Sequence, residues 1–431
     1  MTYRNHELAR LTATEAAARI ASGELTSELL VSALLERIAE RDEALHAWAF
    51  VDPDLALEAA RRCDAASSPL GPLHGVPVGV KDIIDTADMP TGMGSPIYDG
   101  HRPRNDAACV AQIRAAGAVV LGKTVTVEFA GMAAPPTCNP HDPMRTPGGS
   151  SSGSGAAVAD CHVPIAFGTQ TAGSVHRPAA YCGVVGFKPS FDLYNLHGVR
   201  PAAQSLDTLG TLSSSIDDAE LMMAVLVGRS YEPIPASASP PRIGFCRTHL
   251  WGTAKPETAR AMAAVRQRMI RAGSEVIDID LPKAFSELTP ARDIISSYER
   301  ARATLWEYNT HREKLSPQLQ RGIEKGLGWS FGEYRDALAA GEACRRELEK
   351  TFAAIDAIIA PVTEGEAPVG LDSTGDHAFI GFWNLLRAPS FSLPVGRGPS
   401  GMPVGLQLIG PMGGDDRLIS VAKWITTRPS M

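Results

Sequence analysis

Apolar and polar positions follow two different rhythms along this chain. Through residues 13–66 apolar residues recur at helical spacing, as in SELLVSALLERIAER, which follows Thr26, a residue suited to a helix N-cap. One short extended piece, residues 47–52, interrupts these helices. Between residues 71 and 210 the pattern shifts to short apolar runs, GVPVGV, AVVLG, VPIAFG and GVVGF, set among glycines and prolines. Such runs predict buried strands separated by loops. EPIPASASPP, at 232–241, reads as a linker. A strand (RIGF), a helix (255–272), a strand (SEVIDIDL) and a helical stretch to about residue 351 follow it. DAIIAPV (356–362) and GMPVGLQLIG (401–410) predict two more strands, and a helix closes the chain. Strands alternating with helices imply an α/β fold whose large, mixed but mostly parallel central sheet carries helices on both faces. We read one domain over 1–431, made of a helical part (1–66), a core (71–210) and a second part (242–431). The pattern leaves open whether the helices of 281–351 form a cap or an interface.

Charge narrows the partners. The chain of 431 residues carries a net charge of -7, which argues against nucleic acid, since phosphate binding needs a basic surface. No apolar stretch is long enough to predict a spanning helix. The first residues, MTYRNHELARL, lack an apolar signal core, so a cytoplasmic protein is expected. The seven cysteines are scattered and form no CxxC pair, which predicts small core residues rather than disulfides or a metal site.

Two matches to known motifs fail on context. Residues 117–124, GAVVLGKT, fit the phosphate-loop pattern by letter, but a helix precedes Gly117 and AVVL is itself strand-like. Gly117 reads better as a helix C-cap. Residues 149–153, GSSSG, fit the nucleophile elbow of serine hydrolases. That elbow needs an apolar strand before it, and NPHDPMRTP cannot be one.

The chemistry concentrates between Arg145 and Pro189. Two small-residue loops there, 148–155 and 169–174, carry serines and are separated by room for one helix and one strand. The second loop, GTQTAGS, can turn consecutive N–H groups into one space, as an oxyanion hole requires. Lys81 ends the apolar run GVPVGVK. A lysine there either reaches out to solvent from the strand end or is desolvated; desolvated, it loses its proton near neutrality and can serve as a general base.

These residues carry a resemblance. GPLHGVPVGVKDIIDT, RTPGGSSSGSGAAVA, GTQTAGSVHRPAAYCGVVGFKPS and GMPVGLQLIG strongly resemble the amidase signature family, over nearly the whole chain. The resemblance implies that family's fold and its Ser–cis-Ser–Lys triad, with no metal or organic cofactor. It casts Lys81 as base, Ser150 as the bridging serine entered through a cis peptide after Gly149, and Ser174 as the acylated nucleophile. Twenty-four residues separate the two serines, the family's usual spacing. It further implies an oxyanion hole from the N–H groups of Thr171, Ala172, Gly173 and Ser174, with Ser151 and Gln170 as supporting residues.

Where the family commonly has DTGGSIRxP, this chain has Gln170, Ala172 and His176. Gln170 and His176 are expected to replace an ion pair by a neutral hydrogen bond, and Ala172 requires a negative φ. Arg177 resembles the malonamidase branch, in which an arginine three residues past the nucleophile grips a substrate carboxylate. The expected activity is hydrolysis of a small amide, of the malonamate kind, through an acyl-serine. Two other readings stand beside it: a glutaminase-type subunit feeding ammonia to an amidotransferase partner, and a non-catalytic binding protein of the same fold. The expected partner is a small-molecule amide, with neither nucleic acid nor membrane; a homodimer is left open.

Overall fold

The structure, a computed structural model, describes residues 3–131 and 133–427. Its strands in chain order are β1 Trp48–Val51, β2 Pro77–Lys81, β3 Val119–Thr124, β4 Ile165–Gln170, β5 Val185–Lys188, β6 Thr208–Ser213, β7 Ile243–Cys246, β8 Val276–Ile279, β9 Ala357–Pro361, β10 Ser390–Arg397 and β11 Pro403–Ile409. All eleven join one sheet in the order β1-β3-β2-β4-β6-β5-β10-β11-β9-β7-β8.

The two faces of the sheet feed two cores, because successive side chains on a strand point to opposite sides. Val119 and Leu121 pack with Leu30, Val31 and Leu34 of the helix Ser27–Leu45, while Val120 between them joins Ile113 and Met222 on the other face. In β4, Ile165 and Phe167 face one core and Ala166 the other. Helices thus cover both faces, as the continuous apolar strand runs predict.

The balance of strand directions differs from expectation. Parallel pairing is confined to β2 with β3 and β4, and β7 with β8 and β9; the other six pairings are antiparallel. The sheet is mixed rather than mostly parallel. The reason lies in β6 and β10, two strands that the apolar pattern does not reveal. Each runs antiparallel to both of its neighbours. Their sequences, TLGTLS and SFSLPVGR, break the apolar run with Gly, Pro, Ser and Thr. β5 pairs with β10 across residues 232–241, so strands from both sides of that segment share one sheet.

Lys81 and Gln170 end two adjacent parallel strands, β2 and β4. Residues needed for chemistry therefore meet at the carboxyl ends of strands, where open α/β sheets place their ligands.

Candidate active site

Lys81 is fully buried at the end of β2. Its Nζ donates to Ser150 Oγ at 2.8 Å and to Thr169 Oγ1, on β4, at 2.9 Å. Among the described residues no carboxylate forms an ion pair with it. Burial pulls its pKa down from 10.5 to about 7; Asp207 opposes the shift and Arg300 adds to it. Part of the lysine is therefore neutral at physiological pH and able to accept a proton.

The first serine loop is held from several sides. The Gly149–Ser150 peptide is cis. Gly148 has φ +86°, and a Cβ there would lie 2.9 Å from the backbone of Pro178, so only glycine fits. Ser150 O accepts from Val127 N–H at 3.1 Å. The neighbouring hydroxyls are engaged elsewhere: Ser152 donates to Gly148 O, Ser154 to Phe167 O, and Ser151 Oγ accepts from Thr169 N–H. Of these four serines only Ser150 touches the lysine. Among the described residues no strand lies between β3 and this loop, so the strand that a nucleophile elbow needs immediately before its serine is missing.

The second loop follows β4. Gln170 Oε1 accepts the backbone N–H groups of Val175 and His176, both at 3.0 Å, and closes the turn. The expected Gln170–His176 side-chain pair is not formed. The His176 ring instead meets Ser390 Oγ at 2.7 Å, because its backbone rather than its ring faces Gln170. Burial and Lys188 press this histidine down to about 3, which keeps it neutral. Thr171 Oγ1 donates to Asp207 Oδ1 at 2.5 Å, and Asn384 Nδ2 donates to Thr171 O at 2.8 Å. Ala172 does not have a positive φ, so its methyl is tolerated. Among the described residues nothing accepts from the N–H groups of Thr171, Ala172, Gly173 and Ser174. They are free to face a developing negative charge.

The two loops join where Ser151 N–H donates to Ser174 O at 3.3 Å. Ser174 Oγ forms no hydrogen bond with Ser150 in this structure; such contacts commonly tighten in the reacting complex.

Ser174 opens into a cleft of about 340 Å3. Its walls include the helices Leu288–Ala303 and Pro317–Gly328. The 281–351 segment, left open by the pattern, thus builds the substrate side of the site. A cavity of about 600 Å3 lies elsewhere, against the helix Ala13–Ala21, and reaches none of these residues.

Arg177 lines the cleft, but backbone carbonyls occupy much of its guanidinium. Nε and Nη2 donate to Gly149 O at 3.0 and 2.6 Å, and Nη1 donates to Gly375 O. The fork expected to grip a carboxylate instead holds the residue before Ser150. Replacing Arg177 by Gln should therefore lower kcat on neutral and anionic amides alike, by about 10- to 100-fold, as a misplaced catalytic group does. Kinetics on a charged and a neutral amide would check this; a loss confined to the charged one would return the carboxylate to Arg177.

Thr169, Asp207, Asn384, Arg292 and Arg300 also stand at the site, and the sequence pattern does not mark them. Only the last two left a trace, as basic residues at i and i+8 on one helix face. Lys123, from the false phosphate loop, is buried on β3 and bonded to Thr91 and Pro90 O. Among the described residues no group of three or more His, Cys, Asp or Glu is placed to hold a metal ion.

A family model described as Amidase matches residues 29–419. The chain belongs to the amidase signature family. It is an amide-hydrolysing enzyme, with the fold of the structures it resembles. A structure described as a crystal structure of amidase superposes with a TM-score of 0.88 at 32% identity, covering 96% of this chain and 99% of that one. The native peptide amidase from Stenotrophomonas maltophilia superposes with a TM-score of 0.84 at 30% identity, covering 97% and 98%. Among curated relatives of this amidase, the A subunit of the glutamyl-tRNA(Gln) amidotransferase of Salinispora arenicola (strain CNS-205) is 32% identical over 96% of each chain. The corresponding protein from Anaeromyxobacter sp. (strain K) is 35% identical over 94% of this chain and 93% of its own. These relatives do not single out the malonamidase branch that Arg177 suggested. Among the described residues no helix is long and apolar enough to cross a membrane.

Proposed function

We propose that this amidase hydrolyses a small amide bearing a carboxylate, with Lys81, Ser150 and Ser174 as its catalytic residues. The observation that carries the chemistry is the 2.8 Å contact between a buried lysine, titrating near neutrality, and Ser150 beside the Ser174 loop. Ser174 Oγ attacks the amide carbonyl while its proton passes through Ser150 to Lys81. The N–H groups of residues 171–174 face the oxyanion as it forms. The C–N bond then breaks, and Lys81 returns the proton through Ser150 to the leaving amine. Water attacks acyl-Ser174 by the same relay and frees the acid.

The carboxylate preference is supported by the cleft lining, where Arg177, Arg292, Arg300 and Arg321 face one acidic residue, Asp293, which is paired with Lys325. Arg292 has no partner among the described residues, and a cation so placed attracts an anionic substrate. The curated relatives favour a narrower form, in which the chain is the amide-cleaving component of an amidotransferase and passes ammonia to a partner chain. Ammonia release from a panel of small amides, glutamine included, separates these. Turnover of anionic amides by the isolated chain supports the first. Glutaminase activity only with an added partner supports the second.

The pH profile follows from Lys81. A base works deprotonated, so kcat/KM should rise with pH through about 7 and level off above it. A rising limb centred near 10 would mean that the lysine is not desolvated as described.

A further inference from the structure

The cleft above Ser174 contains a buried cation with nothing on it. Arg292 is 9% exposed, and among the described residues its guanidinium has neither a hydrogen bond nor an ion pair; its Nε is buried without a partner. The nearby acids are engaged, Asp293 with Lys325 and Asp376 with the N–H of Ala378 at 2.6 Å. Arg177, in the same cleft, is held by carbonyls. Arg300 follows Arg292 by about 12 Å along the helix, lines the same cleft and, among the described residues, donates only to Phe129 O, at 3.0 Å. Burial disfavours the charged form of both arginines. An unpaired charge in such a place is strongly destabilising, unless a ligand completes it.

We propose that Arg292, reinforced by the charge of Arg300, receives the carboxylate of the amide substrate. This rests on the reading of the protein as an amidase for anionic amides, and it assigns the recognition to the Leu288–Ala303 helix rather than to Arg177. The volume suits a short acid, with its scissile carbonyl at Ser174 and its carboxylate toward the helix.

Succinamate and succinamide make a matched pair, since the terminal carboxylate becomes a carboxamide of the same shape. In the full-length enzyme Arg292→Gln should lower kcat/KM on succinamate by about 30-fold or more, the scale of a lost charged hydrogen bond. Turnover of succinamide should stay within about threefold, because the relay is untouched. Arg292→Lys should keep part of the preference, and Arg300→Gln should weaken it less. Thermal melting of Arg292→Gln should hold or rise, because an unpaired buried charge is removed; a lower Tm would mark Arg292 as structural and overturn the proposal. Equal losses on both substrates would also overturn it. A preference for succinamate that survives in Arg292→Gln overturns only the assignment of Arg292. A wild-type enzyme with no such preference overturns the carboxylate reading itself.

Discussion

Ser174→Ala is expected to abolish turnover, lowering kcat by at least about 10^4-fold, as removal of a serine nucleophile does elsewhere. The hydroxyl is the only nucleophile among the cleft residues 171–174 whose side chain has no other engagement; Thr171 Oγ1 is held by Asp207. Burial of the loop is unaffected by loss of one oxygen, because its turn is closed by Gln170, Asp207 and Asn384. Folding should therefore be retained. Rapid-quench assays with an activated amide would show no acyl-enzyme in the variant and a stoichiometric burst in the parent. A variant that keeps a burst, or more than a tenth of parental kcat, would move the nucleophile to Ser150.

Lys81→Met is expected to be nearly as damaging, about 10^2- to 10^4-fold in kcat, the range of a positioned general base. Its effect on stability should run the other way. In the unfolded chain the lysine titrates near 10.4, whereas in the fold burial brings it to about 7. The unfolded state thus binds more protons between these values, so this group makes stability rise with pH across that window. At pH 7 the lysine opposes folding by several kcal/mol, since each pKa unit is worth about 1.4 kcal/mol. Methionine fills similar volume without a charge, so Tm should rise at pH 7 while activity is lost. Calorimetry of the two proteins at pH 7 and pH 10 would check this, with the larger gain expected at pH 7. A variant that loses activity and stability together would point to a structural lysine.

Legibility followed the kind of interaction involved. The helices of 13–66, the strands GVPVGV, VPIAFG and GVVGF and the final helix were plain, because each buries an apolar face with its own period. β6 and β10 were not, because their place between neighbours on both sides stabilises sequences that carry Gly, Pro and Ser. At the site, the two serine loops stand out by composition and Lys81 by ending an apolar strand run, while the roles of Lys81, Ser150 and Ser174 come from the family resemblance. Their supports do not stand out. Thr169 is an ordinary strand residue until β4 lies beside β2, and Asp207 and Asn384 act on Thr171 from 36 and 213 residues away. Arg177 shows the converse: its position suggested a substrate ligand, while the structure sets its nitrogens on the carbonyls of Gly149 and Gly375 at the edge of the cleft.

By itself the sequence determined the layered α/β class, the two serine loops, the distant lysine and the family they resemble, since each is written in local composition and spacing. Tertiary structure alone decided the direction of the central strands, the desolvation that brings Lys81 toward neutrality, and the helix that walls the cleft. The reason is physical. Burial, electrostatic field and unpaired charge depend on which elements come together, and Arg292 and Arg300 reach the cleft at Ser174 only because their helix forms its wall.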